Sequence, residues 1–226
     1  LHDPEFMQIL LSKEALQNFG EPLDGRGILD IPDLELDFSH EIPSSHRAKC
    51  RDVPQAIIPI IEDHLKGYVS KGLFEPSHHA MYTSPIVIAK KATTPFFRVA
   101  IDYRWINQYI RMIQSYTPII QHELHKSKEW QYFADIDWSE AFHQVRLAPK
   151  TSDMLSIVTT IGCIRPRFMM EGVSPASSVL QNAVAHIFGS MRDESICIFD
   201  NILSGGNKEQ LRARTKKLID ICYRHN

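Results

Sequence analysis

The most informative hydrophobic pattern in the chain is an apolar run that breaks at its centre and then resumes. Between Ser195 and Gly206 it reads Ile196-Cys197-Ile198-Phe199, then Asp200-Asn201, then Ile202-Leu203. β-branched and aromatic residues on both flanks favour strands, and an Asp-Asn pair is turn chemistry that tolerates positive φ. The pattern therefore predicts a hairpin with Asp200 at its tip. Some sixty residues upstream, Tyr132-Phe133-Ala134-Asp135-Ile136-Asp137-Trp138 is a second strand-like run ending on a carboxylate. Two strands delivering Asp137 and Asp200 to one point would make a cation site. Hard divalent ions take carboxylate oxygens, and two such ions about 4 Å apart form a clamp for in-line phosphoryl transfer.

Other elements follow from the same reading. Residues 7–53 carry turn signals with little periodicity and predict an extended arm over the body. Val53, Ile57, Ile60, Ile61 and Leu65 recur at helical spacing ahead of Gly67, with Pro59 predicting a short or kinked helix. Two strand-like runs, Tyr82–Lys91 and Phe96–Arg104, predict a hairpin with a basic tip. Lys91 and Arg98 there suit either a triphosphate clamp or an ordinary soluble tip. Gln121–Trp130 reads as helical, with His122 and His125 on a surface face rather than in a metal site. Phe142 follows Asp137 closely enough for its ring to stand beside anything the carboxylate holds, or to be a core aromatic. Residues 155–160 and 163–170 predict a strand pair around Gly162. Ser174 is a natural cap and Pro175 a natural first residue for the next helix. A closing helix from Lys208 shows Leu211, Thr215, Leu218 and Cys222 on one side. The mixture predicts an α+β fold centred on Tyr132–Asp137 and Ser195–Ser204.

Composition narrows the function. The chain has 226 residues, 43% hydrophobic, which suffices for a large domain or two small ones. Leu1–Phe6 precede Met7 and resemble a vector scar, so the fold is expected to begin at Met7. Nothing resembles a signal peptide, no apolar run reaches the roughly 18 residues of a membrane span, and the four cysteines form no Cys-x-x-Cys pair. The expectation is a reduced, intracellular setting, cytoplasmic or nuclear, with no membrane partner and no structural zinc. A net charge of −2 argues mildly against nucleic acid as a partner. Basic residues nevertheless crowd the last twenty positions, where a solvated helix face is the simplest reading.

The order of motifs resembles the fingers and palm of reverse transcriptases from gypsy-type LTR retrotransposons and retroviruses, over roughly residues 67–225. Ser84-Pro85-Ile86-Val87 with Lys90-Lys91, then Ile101-Asp102-Tyr103-Arg104-Trp105-Ile106-Asn107, resembles the fingers hairpin and its DYRxLN signature. Phe133–Asp137 through Phe142-His143-Gln144 resembles LDLxxGYHQ, Ser174–Gln181 resembles TNAPATFQ, and Ile198-Phe199-Asp200-Asn201 stands where YxDD belongs. The resemblance implies a right-hand polymerase fold, α+β, with an antiparallel palm sheet packed on helices. Its expected parts are an N-terminal arm and leading helix over 7–66, fingers over 67–130, and palm over 131–226 with a fingers excursion near 148–170. Thumb, connection and RNase H segments are expected to be absent. It further implies that Asp137 and Asp200 hold Mg2+ or Mn2+, that Lys91 and Arg98 contact nucleotide phosphates, and that Phe142 excludes a ribose 2′-hydroxyl. Gln181 would shape the nucleotide pocket and Gly172 would lie near the template base. Template-primer and dNTP would be the partners.

Three departures touch the centre of the motif set: Asn201 for the second Asp of YxDD, Ile198 for its Tyr, and Met170-Glu171-Gly172 for PFG. The chain thus reads as a polymerase domain impaired by Asn201 and the missing thumb. The alternative is a domesticated domain that binds nucleic acid or a protein partner, or associates with itself.

Overall fold

The computed structural model describes residues 3–18, 26–90, 97–115 and 117–225. In chain order its strands are β1 (His46–Arg47), β2 (Phe74–Pro76), β3 (Tyr82–Lys90), β4 (Phe97–Ile101), β5 (Tyr132–Asp137), β6 (Ile157–Thr159), β7 (Gly162–Pro166), β8 (Ser195–Ile198) and β9 (Asn201–Gly206). Its helices are α1 (Pro4–Leu10), α2 (Lys13–Asn18), α3 (Ile58–Ser70), α4 (Arg104–Asn107), α5 (Ile120–Glu123), α6 (Pro149–Met154), α7 (Ala176–Ile187) and α8 (Lys208–His225). The fold is α+β, as expected. Two compact units emerge: one from Leu1–Ile31, Ile113–Ala141 and Ser177–Asn226, the other from Pro32–Met112 and Phe142–Ala176.

The first unit is built on an antiparallel sheet of order β5-β9-β8. Helix α8 lies across β9 and β5 and buries Leu211, Thr215, Leu218, Ile219 and Ile221. It starts at Lys208 because Asn207 and Gln210 cap each other: the Gln210 N–H donates to Asn207 Oδ1 at 2.9 Å, and the Asn207 N–H to Gln210 Oε1 at 3.0 Å. At the chain's start, Asp3 caps α1 by accepting from the Glu5 and Phe6 amides, both at 3.1 Å. Arg212 of α8 pairs with both Asp3 and Glu5. Helical structure therefore begins at Pro4, ahead of Met7, and α1 and α2 replace the first part of the expected extended arm.

In the second unit, β3 is flanked by β4 in antiparallel register and by β1 and β6 in parallel register. Hairpin β6–β7 then pairs with β2. Leu73, Phe74, Ile86, Ile106, Leu155, Ile157, Phe168 and Met169 form the core. Tyr103 is buried among them and donates its hydroxyl to the Leu155 carbonyl at 3.1 Å. The arm is extended from Pro32 onward. The Leu34 N–H donates to the Arg146 carbonyl, the Ser39 N–H to the Tyr109 carbonyl, and the His46 ring stacks on Trp105 at 3.7 Å.

Several boundaries shift for local reasons. Pro59 sits in the first turn of α3, where it costs no hydrogen bond, so the helix starts there instead of kinking. Gly67 lies inside α3, which runs on to Ser70. The expected helix over Gln121–Trp130 is one α-turn followed by a 3₁₀ stretch over Leu124–Glu129. Ser174 and Pro175 form a turn, and α7 begins at Ala176.

Asp102 is a 10% exposed carboxylate gripped by the Arg104 guanidinium at 2.8 and 2.7 Å and by Arg51. These hydrogen bonds, Arg104's first, hold its carboxyl well below the usual carboxylate range. The folded value is depressed, so the stabilisation is present above about pH 4 and is lost as pH falls below it. Asp102→Asn is expected to cost about 1 kcal/mol at neutral pH, Arg104 being largely exposed and screened. Urea unfolding at pH 7 and pH 3 checks this: the gap between the two proteins should narrow at the lower pH.

Candidate active site

Strands β5 and β9 run in the register Ile136↔Ile202 and Asp137↔Asn201. The Trp138 N–H donates to the Asp200 carbonyl at 2.7 Å, which makes Asp137 and Asn201 a non-hydrogen-bonded pair. Such pairs bring backbones closest, with Cα atoms about 4.5 Å apart and side chains on one face. The Asn201 amide donates to Asp200 Oδ1 at 3.0 Å. Asp137, Asp200 and Asn201 are thus brought together at one end of the sheet, with Asp137 exposed and Asp200 half-buried. All three offer oxygen, the donor that hard divalent cations prefer, so the set fits such an ion. Among the described residues no three His, Cys, Asp or Glu gather into a metal-binding group, so the acidic complement here is two carboxylates.

Asp200 stands at the hairpin tip as expected, but its partner in the turn is Phe199 and not Asn201. Ile198 pairs with Asn201, leaving Phe199-Asp200 as the two-residue turn, and Asn201 is already the first residue of β9. Positive φ falls on Phe199, at 53°, where a type II′ turn ordinarily asks for glycine. Gln181 of α7 reaches this turn. It accepts from the Phe199 N–H at 2.9 Å and donates to the Cys197 carbonyl at 3.5 Å.

Two pairs along the same face from Asp137, Gly205 lies under the ring of Trp130, and Arg214 binds the Gly205 carbonyl while standing 6.0 Å from that ring. Much of the C-terminal basic cluster is engaged this way. Arg212 holds α1, and Lys217 pairs with Glu194 at 2.9 Å and donates to the Ser190 carbonyl. Burial pushes the Cys222 thiol up to about 11 and raises Cys197 as well, so neither serves as a thiolate nucleophile at neutral pH.

The remaining expected residues belong to the second unit. Lys91 lies outside the described residues. Arg98, on β4, forms an ion pair with Glu171, both side chains being 53% exposed. Phe142 is half-buried in the 3₁₀ turn Ala141–Gln144. Gly172 has φ of 88° and belongs to a loop held by Asn107. Asn107 donates to the Gly172 carbonyl at 2.9 Å and accepts from the Ser174 N–H at 3.0 Å. The sequence reading gave Asn107 no role. Its signal was the DYRxLN match, since an amide is the side chain that can donate and accept at once.

No protein-family model matches the chain. By sequence it is similar to the retrovirus-related Pol polyprotein from transposon 412 of Drosophila melanogaster, with 23% identity over 180 residues, 76% of this chain and 14% of that protein. The transposon Tf2-7 polyprotein of Schizosaccharomyces pombe is 24% identical over 186 residues, 80% of this chain and 14% of the relative. The chain therefore spans about one seventh of these curated relatives. Among solved structures, the foamy viral protease-reverse transcriptase in complex with RNA/DNA hybrid superposes with a TM-score of 0.84 at 16% identity, covering 100% of this chain and 30% of that one. The foamy viral protease-reverse transcriptase dRH in complex with double-stranded DNA gives 0.84 at 14% identity, covering 100% of this chain and 39% of that one. The chain thus has the fold of the foamy viral protease-reverse transcriptase, and in sequence it is similar to retrotransposon and retrovirus-related Pol polyproteins.

Proposed function

We propose that the domain is built for metal-dependent addition of dNTPs to a primer 3′-hydroxyl on an RNA or DNA template, and that Asn201 leaves it impaired. The observation that carries this reading is the β5–β9 register, which joins Asp137 to the Asp200 turn. Asp137 and Asp200 would hold Mg2+ or Mn2+. A divalent ion there would activate the primer hydroxyl and neutralise charge on the transferring phosphate and the departing pyrophosphate. Lys91 and Arg98 would receive the triphosphate, Phe142 would exclude a 2′-hydroxyl, Gln181 would shape the nucleotide pocket, and Gly172 would stand near the template base.

A second reading, a domain retained to bind nucleic acid, a protein partner or another copy of itself, is favoured by one observation. The guanidinium assigned to phosphate, Arg98, is already neutralised by Glu171.

Calorimetric titration with dNTP and rNTP in magnesium separates the two. The polymerase reading expects tighter dNTP binding, loss of the magnesium-dependent part in Asp137→Ala and Asp200→Ala, and about tenfold weaker binding in Arg98→Ala. Lys91→Ala is expected to weaken it similarly. Equal affinity for dNTP and rNTP, or indifference to both carboxylates, overturns it. Metal-independent capture of a primer-template duplex by the same protein would then support the second reading.

A further inference from the structure

We infer that Gln181 is a positioning residue for Asp200, acting through the backbone of the hairpin turn. The metal part of this inference rests on the reading given under Proposed function. The turn part stands on geometry alone.

Phe199 occupies the left-handed region at φ 53°. For a non-glycine residue that conformation costs about 1–2 kcal/mol, and nothing in a phenylalanine side chain repays it locally. The β8–β9 register leaves two residues to reverse the chain, so the strain must be held from outside the hairpin. Gln181 is placed to hold it. The residue is 2% exposed, it comes from α7, and its amide bonds the backbone on both sides of Ile198: acceptor to Phe199 N–H and donor to Cys197 C=O. At such burial an unpaired amide would be costly, so these bonds are worth keeping.

The next link is short. Phe199 is followed by Asp200, whose carbonyl accepts from the Trp138 N–H and so ties the turn to the end of β5, beside Asp137. Gln181 fixes the Phe199 peptide plane, that plane fixes Asp200, and the separation of the two carboxylates follows. A glutamine suits this role because one planar group offers both a donor and an acceptor; methionine has similar length and neither.

The test compares the parent protein with Gln181→Met, which keeps volume, and Gln181→Glu, which keeps the acceptor. Amide exchange by NMR reads the turn without any metal. In Gln181→Met, exchange at Phe199 and Trp138 should accelerate about tenfold or more while amides in the middle of the β5–β9 ladder stay as they were. Gln181→Glu should restore much of the protection at Phe199. In parallel, Mn2+ affinity measured by EPR should weaken several-fold in Gln181→Met and recover partly in Gln181→Glu. Unchanged exchange at Phe199 and Trp138 in Gln181→Met overturns the inference. So does accelerated exchange with Mn2+ affinity equal to the parent's. If the parent itself binds no Mn2+, the metal reading fails, and the exchange pattern alone decides whether Gln181 sets the turn.

Discussion

Asn201→Asp is expected to tighten Mn2+ binding by about tenfold while lowering the unfolding temperature of the metal-free protein. Both signs follow from the contacts at the sheet's end. Asn201 now donates to Asp200 Oδ1 at 3.0 Å. A carboxylate in its place ends that donation and adds a like charge beside Asp137 and Asp200, which destabilises the empty site. Toward a cation the balance reverses. A unit charge at about 4 Å in an effective dielectric near 20 is worth about 4 kcal/mol before desolvation is subtracted. Residue 201 is exposed, so about a third of that is expected to survive, close to a factor of ten in affinity. Thermal unfolding over a Mn2+ series measures both effects, because binding to the folded state stabilises it by RT ln(1 + [L]/Kd). The two melting curves should cross as Mn2+ rises. Identical Mn2+ dependence in both proteins would remove the cation from this end of the sheet.

The second large effect concerns stability. Gly205→Ala is expected to lower stability by about 3 kcal/mol, or about 6–12 °C in unfolding temperature for a chain of this size. A Cβ on Gly205 would stand 2.3 and 2.6 Å from Trp130 ring atoms and 2.8 Å from the Tyr132 carbonyl oxygen. The carbonyl belongs to the β5 backbone and cannot swing aside. The ring is hemmed by Phe133 at 5.8 Å and Arg214 at 6.0 Å. Differential scanning calorimetry of Gly205→Ala, Trp130→Ala and the double variant checks the cause. The double variant should lose less than the sum of the two, since Gly205→Ala creates the collision and Trp130→Ala takes away the ring it strikes. A fall under about 2 °C in Gly205→Ala would mean that the Trp130 ring does not rest on this glycine.

The parts of the fold legible in the sequence were those with a strong local pattern. β5 and the β8–β9 pair are short apolar runs with β-branched and aromatic residues, and α8 shows Leu211, Thr215 and Leu218 at helical spacing, so their positions could be read directly. Asp137 and Asp200 were legible because a carboxylate closing an apolar run contradicts its surroundings. What stayed hidden depends on partners far along the chain. α1 is too short to persist alone and owes its place to Arg212, 209 positions from Asp3. Turn propensity assigned positive φ to the Asp-Asn pair, whereas the register put it on Phe199, with Gln181 as its brace. No local rule marks a phenylalanine for the left-handed region. Glu171 could be seen as a departure from PFG, but its pairing with Arg98 required β4 and the loop before Ser174 to be placed first.

The separation of β5 from β9 also shapes how the chain is made. Asp137 and Asn201 are 64 positions apart, and the whole of the second unit's C-terminal segment, Phe142–Ala176, lies between them. At a synthesis rate of about 5–20 residues per second, β5 waits roughly 3–13 s for the strand that completes its sheet. Long-range pairing of this kind is slow to form, and an unpaired strand edge is an invitation to other chains. β5 carries exposed Tyr132 and Phe133, the composition that such association favours. Asp135 and Asp137 lie on the same strand and place two like charges on it, which oppose stacking of one nascent chain against another. On the ribosome the carboxylate at residue 137 is thus expected to oppose that association before any cation arrives, and Asp137→Asn should raise the aggregated fraction in cell-free synthesis.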